Sequence, residues 1–271
     1  MMKISLLSQL LFSEKGEIRL LWLYIPAVFL HGVFSNFQTP VTEIIWDSVF
    51  YKSMAHGLYH ITSFDLHHHF PVPPLYPLVL IPGFLADSYL TVEWIHSWIN
   101  PLLYFLGLYP LYYYSRFLLT PQKSAFVCVV FLCYPSSVFA QWSMSENLAV
   151  PLVFASAYLA VRLLFASGRE WKPGIFLGIV LAGIVLTRVF LVVYCGAILL
   201  WLGYRTLRKR NDPGPILATY SLFLTLVLVV WWLGGYFSLP GNAVVYADFN
   251  RLPLPTLIGH YFTYFFAHWT G

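Results

Sequence analysis

The sequence predicts an all-α, polytopic membrane protein of about seven transmembrane helices, with a large first outer loop carrying short surface helices. Three observations predict it. Hydrophobic residues fill 59% of the 271 positions and charged residues only 10%, with a mean hydropathy of +0.71. A soluble domain carries roughly 25% charged residues, so this chain lacks the polar surface to face water all round. The apolar residues gather in successive runs, and backbone in lipid must satisfy its own hydrogen bonds, as a helix does. Finally, the lysines and arginines sit at the ends of these runs rather than on one patch, which is a membrane pattern and not a nucleic-acid-binding one. The net charge of +4 therefore implies no nucleic-acid partner.

Taken in order, residues 1–18 carry Lys3, Glu14, Lys15 and Glu17 and read as a short amphipathic cytoplasmic lead. Residues 6–12 are apolar but short, and no small-residue cleavage pattern follows, so no cleavable signal peptide is expected. The first span covers residues 20–37, close to the roughly 20 residues a crossing needs. The first outer loop runs over about 38–93. Within it, residues 47–57 read as a surface helix with Asp47 in its first turn, where the helix dipole favours an acid. Residues 75–85 are apolar but too short to span. They follow Pro73 and Pro74 and are broken by Pro77, Pro82 and Gly83, so they read as a re-entrant or surface-lying helix.

The second span is 94–118, with Arg116 near its end. The third is 124–134, extendable to 141, between Lys123 and Pro135. The fourth is 148–165, followed by Arg169 and Lys172. The fifth and sixth, 174–187 and 189–207, join at Arg188 and end in the basic run Arg205, Arg208, Lys209, Arg210. The seventh is 215–233, and 236–271 is an aromatic-rich outer segment or the start of a further helix. Starting from a cytoplasmic N-terminus, this count places the basic clusters inside. It places the Asp47 loop, the turn before Asn147 and the C-terminal segment outside. Counting 75–85 as a full span would invert everything after it. Lys52, Arg188 and Arg251 are then the cations left on the outer side.

Candidate site residues follow from that topology. Asp47, beside Trp46, is either a general base at the membrane surface or a helix cap. Glu146, in SMSENLAVP, emerges on the same side and either contacts substrate or caps the fourth helix with Ser143 or Ser145. Arg188 is either a snorkelling arginine or a phosphate ligand, to which a planar, permanently charged guanidinium is well matched. Lys52 and the run His67, His68, His69 are second candidates for phosphate or sugar contact. Three consecutive histidines cannot all face one ion from a regular element, so no metal site is expected. Tyr51, Phe70 and Tyr76 offer faces to a sugar or a lipid chain, or anchor at the interface. The three cysteines, Cys128, Cys133 and Cys195, lie in apolar runs without metal-type spacing and read as packing residues.

The segment WDSVFYKSMAHGLY…FPVPPLYPLVL resembles the first outer loop of the GT-C superfamily of lipid-phosphate-sugar-dependent glycosyltransferases. The resemblance is closest to the PIG-V-type (GPI mannosyltransferase II-like) group and its prokaryotic relatives. CYPSSVFAQWSMSENLAVP is similar to that group's Pro-x-x-x-Phe…Ser-Glu turn, and LAGIVLTRV to its Thr-Arg hairpin. The matches lie in the family's order and cover most of residues 40–200. This chain has Trp-Ser-Met-Ser-Glu where the group more usually has Tyr-Ser-Glu, and its triple histidine is outside the pattern.

The resemblance implies a GT-C core module over residues 1–235. It implies Asp47 as catalytic base, Glu146 as the second-loop acid and Arg188 as the hairpin arginine. It further implies inverting transfer of mannose or another hexose from a polyprenyl- or dolichyl-phosphate donor. The acceptor would be a hydroxyl of a glycan, lipid or protein on the extracytoplasmic or lumenal face. A monophosphate leaving group needs no metal or cofactor in this scheme. The rivals are a lipid-linked-sugar transporter or a non-catalytic membrane subunit of a glycosylation complex. Transporters tend to show internal repeats and broken mid-bilayer helices, and no repeat is seen here. Whether a partner membrane subunit completes the recognition surface stays open.

Overall fold

A computed structural model of the chain describes residues 20–38, 46–59, 73–86, 88–134, 140, 143–165, 171–209 and 214–233, with the side chains of 35–38, 46–50, 53, 57, 89, 209 and 231–233 outside that description. The expected lead at 1–18 and the aromatic-rich segment at 236–271 lie outside the described residues. Among the described residues the fold is all-α: ten α-helices and two 3-10 turns, with no strand. In chain order the helices are α1 (Leu21–Gln38), α2 (Trp46–Tyr59), α3 (Leu75–Leu80), α4 (Tyr89–Phe105), α5 (Leu108–Ser115), α6 (Pro121–Leu132), α7 (Glu146–Phe165), α8 (Trp171–Thr187), α9 (Val192–Lys209) and α10 (Gly214–Leu233).

The short helix α3 passes into a 3-10 turn, Ile81–Leu85, as the prolines at 77 and 82 dictate. That turn lies close over α4. A Cβ on Gly83 would run into the ring of His96, whose Nε2 donates to the Leu80 carbonyl at 2.9 Å. The predicted span at 94–118 is two helices, α4 and α5, with Pro110 in the first turn of the second. In a continuous helix Pro110 would lose its bond to the Leu106 carbonyl and clash with it. In the first turn of a new helix its missing N–H costs nothing. The chain therefore tightens over Leu106 and Gly107, whose N–H groups reach back three residues to Leu103 and Tyr104 at 3.2 Å each. Ser88 caps α4 by accepting from the Thr91 N–H at 3.2 Å, and Pro121 opens α6.

Three apolar clusters hold the helices together. One joins α1, α4, α5 and α6 through Val28, Tyr104, Phe105, Leu108, Cys128 and Phe131. A second joins α7, α8, α9 and α10 through Ala160, Leu181, Ile184, Cys195, Leu202 and Phe223. The third lies under α2, where Tyr51 and Ala55 meet Tyr76 and Leu80 of α3. Helix α8 is the most enclosed, lying between α7 and α10. Its close approach to α10 depends on Gly174 and Gly178. A Cβ on Gly178 would stand 2.8 Å from the Thr219 carbonyl oxygen, and one on Gly174 would meet the Pro215 carbonyl. The Thr219 hydroxyl donates to the Gly174 carbonyl at 2.9 Å and seals the contact.

The outward faces are apolar. On α1, Leu21, Trp22, Ile25, Phe29, Leu30 and Phe34 are all more than half exposed. Polar side chains face inward instead: His96, Asn100, Ser124, Ser145, Asn147, Ser156 and Thr219 are buried. Two helical stretches, Glu146–Phe165 and Val189–Arg208, are long and apolar enough to cross a membrane, and only 22% and 17% of their apolar windows are buried. Leu21–Phe34, Pro121–Leu132, Trp171–Thr187 and Gly214–Val230 are apolar and shorter.

Candidate functional site

Beneath α2 the buried polar residues form a connected cluster. Helix α7 starts at Glu146, after a turn in which the Met144 carbonyl accepts from the Asn147 N–H and the Ser145 carbonyl from the Leu148 and Ala149 N–H groups. Ser143 and Ser145 in this approach are buried, at 1% and 0% exposure. Helix α8 ends at Thr187, whose hydroxyl turns back to the Gly183 carbonyl at 2.7 Å. Arg188 then adopts extended backbone before the 3-10 turn Val189–Leu191, which leads into α9. This corner throws the guanidinium across to the start of α7.

The Arg188 Nη2 forms an ion pair with Glu146 Oε1, and its Nε donates to Ser145 Oγ at 2.8 Å. The same Ser145 oxygen accepts from the Tyr51 hydroxyl of α2 at 2.9 Å. Alongside, the Tyr76 hydroxyl donates to Asn100 Oδ1 at 2.7 Å, and Asn100 Nδ2 donates to Ser143 Oγ at 3.3 Å. The rings of Tyr51 and Tyr76 meet edge to face at 5.1 Å. Five segments far apart in sequence, α2, α3, α4, the start of α7 and the α8–α9 corner, thus share one polar patch. The Glu146 and Arg188 side chains keep 21% and 29% of their surface open, so the pair is at the edge of the cluster rather than sealed inside it. Glu146 Oε2 is buried and has no hydrogen-bond partner among the described residues.

Of the residues singled out from the sequence, the structure brings Glu146 and Arg188 into direct contact. Asp47 is the second residue of α2, one helical turn before Tyr51. Its side chain lies outside the described ones. Lys52, a second candidate for phosphate or sugar contact, donates from its Nζ to Glu93 Oε2 at 2.6 Å, a contact that ties α2 to α4, with both side chains mostly covered. Tyr76 is 0% exposed, and its hydroxyl donates to Asn100. Tyr51 is likewise buried, at 5%. His67, His68, His69 and Phe70 lie outside the described residues.

Asn100 and Glu93 are partners that sequence reasoning missed. Asn100 sits before Pro101 inside an apolar run, and its pairing with Ser143 spans 43 residues, so no local pattern marks it. Among the described residues no group of three or more His, Cys, Asp or Glu is placed to hold a metal ion. An apolar groove of about 520 Å³ lies elsewhere, between α1 and α6, lined by Trp22, Pro26, Leu30, His31, Phe34 and Leu132. None of its lining residues belongs to the polar cluster.

Chemically, the cluster offers a fixed cation beside a carboxylate oxygen that is free to accept. Such a pair suits a ligand carrying an anionic group next to a hydroxyl. Comparison of the chain with protein-family models, with curated proteins and with solved structures finds no match.

Proposed function

We propose that this chain is a membrane glycosyltransferase that moves a hexose from a polyprenyl-phosphate donor to an acceptor hydroxyl, with inversion, at the outer or lumenal face. In this reading the chain crosses the bilayer seven times. The crossings are α1, the α4–α5 pair, α6, α7, α8, α9 and α10, while α2 and α3 lie on the outer surface. The apolar outward faces and inward polar side chains support a lipid surround, because in lipid the polar groups must find their partners inside. The charge distribution supports the direction. Arg116, Lys123, Arg162, Lys172, Arg205 and Arg208 all lie at the helix ends opposite the cluster, which the positive-inside rule makes cytoplasmic.

The observation that carries the enzymatic reading is the meeting of Glu146 and Arg188 under the helix that begins with Trp46-Asp47. These are the three segments on which the GT-C resemblance rests. The prenyl tail would stay in lipid while the sugar phosphate reaches the rim. Asp47 would take the proton from the acceptor hydroxyl as it attacks the anomeric carbon. Arg188 would meet the charge that develops on the leaving phosphate, where a prearranged donor is worth roughly 100–1,000-fold in rate. Glu146 Oε2 would accept from a sugar hydroxyl. The histidines at 67–69 stay as further candidates for sugar or phosphate contact.

The test is Asp47→Asn in the purified chain, assayed with a polyprenyl-phosphate hexose. A general base contributes about 100–10,000-fold, so turnover should fall by at least 100-fold while donor affinity is kept. Full turnover in the variant would reject the assignment of the base. Donor-lipid exchange across vesicles without sugar transfer would favour a transporter instead.

A further inference from the structure

The donor phosphate, on the reading above, needs the guanidinium of Arg188 aimed at it, and the structure contains a device that sets that aim. A guanidinium is planar, with Nε–H and one Nη2–H along one edge and the Nη1 and outer Nη2 hydrogens along the next. Ser145 and Glu146, adjacent in sequence, take up the first edge: Nε reaches Ser145 Oγ and Nη2 reaches Glu146. The direction of the next edge then depends on where the Ser145 oxygen sits.

That oxygen is held from the opposite side by α2. A hydroxyl oxygen has two lone pairs, and the two incoming donors are Arg188 Nε and the Tyr51 hydroxyl. Ser145 is 0% exposed and Tyr51 is 5% exposed, so water does not substitute easily for either bond. The next residue along α2, Lys52, is clamped to Glu93 of α4, which fixes the rotation of the helix. Asp47 precedes Tyr51 by one turn. We propose that Ser145 and Tyr51 are positioning residues that hold the Arg188 guanidinium in register with the helix carrying Asp47, so that phosphate recognition is coupled to the docking of α2. Neither residue touches the ligand. The Ser145 oxygen transmits the position of one helix to the cation on another.

The experiment measures equilibrium binding of undecaprenyl phosphate to the full chain in detergent, with undecaprenol as the probe lacking the phosphate. The ratio of the two affinities reports phosphate recognition and is insensitive to general loosening of the fold. In the wild type the phosphate should bind more tightly, and Arg188→Gln should abolish the preference. Tyr51→Phe keeps the buried ring and removes only the hydroxyl. It should cut the preference about tenfold, the usual scale for one hydrogen bond to a charged network, with undecaprenol affinity unchanged. Ser145→Ala should do the same or more. Because the effect passes through Arg188, adding Tyr51→Phe to Arg188→Gln should change nothing further.

Wild-type preference in Tyr51→Phe and Ser145→Ala, even with lower melting temperatures, overturns the coupling and leaves the lipid-phosphate reading standing. An equal loss from Tyr51→Phe in the Arg188→Gln background also overturns it. No phosphate preference in the wild type removes the lipid-phosphate reading and the coupling with it. If Ser145→Ala fails to fold, Tyr51→Phe still decides the matter.

Discussion

The carboxylate of Glu146 is asymmetric in its duties. One oxygen takes the Arg188 ion pair, and the other is buried with no partner among the described residues. An unpaired buried acceptor typically costs about 1–3 kcal/mol, which a ligand hydroxyl would recover. Glu146→Gln can keep its carbonyl oxygen on Arg188, and then puts an amide donor where the free acceptor stood. The expected outcome is a KM for the sugar donor raised about tenfold, from the loss of one such hydrogen bond. Steady-state kinetics and binding on the same preparation check this. Arg188 stands out in the sequence because the span count leaves it among the few cations on the outer side, and Glu146 because it emerges on that same side. Ser145 could be read there only as a capping candidate, since its partners Tyr51 and Arg188 are 94 and 43 residues away. Lys52 shows the converse. Its charge was visible, but the partner that occupies it, Glu93, lies 41 residues on across an intervening helix and turn.

At the scale of elements, apolar runs and their breakers were enough to place the helices. The described helices coincide closely with the runs at 20–37, 124–134, 148–165, 174–187, 189–207 and 215–233. The division of 94–118 was not read from the sequence: Pro101 and Pro110 both lie in that run, and Pro101 sits inside α4 without ending it. Which helices pack was not legible, because apolar runs of similar composition carry no address. The α8–α10 contact is the clearest case. It depends on Gly174 and Gly178 lying against Pro215 and Thr219. Gly178→Leu should separate the two helices, at a cost of about 1–3 kcal/mol or more for an overpacked core. A lower melting temperature in detergent should report it. Gly196 has open space around its Cα, with nothing within 4 Å of a built Cβ. Gly196→Ala in the neighbouring helix α9 should be neutral or stabilising, by up to about 1 kcal/mol. Similar losses from both variants would show that the close approach at Gly178 is not what the structure makes it.

Among the described residues of the whole molecule, charge divides by end. The cluster end holds Lys52, Glu93, Glu146 and Arg188 in ion pairs. The far end carries Arg116, Lys123, Lys172 and Arg208 exposed. After replacement of the exposed Cys133, single cysteines at 146 and 188 should react with a membrane-impermeant reagent from one side of sealed vesicles. Those at 172 and 208 should react only from the other. Labelling of all four from one side would end the seven-crossing topology. The burial pattern has a practical corollary for protein engineering. Among the described residues, hydrogen-bonding groups such as Asn100, Ser124 and Thr219 already face inward, so on the proposed membrane reading the apolar outer faces are the part to change for dispersal in plain buffer. Recoding Trp22, Ile25, Phe29, Phe126, Phe176, Leu200 and Leu224 to glutamate, lysine or glutamine alters positions that are all more than half exposed. The interior, with its polar cluster, would pass into the water-dispersible version unedited.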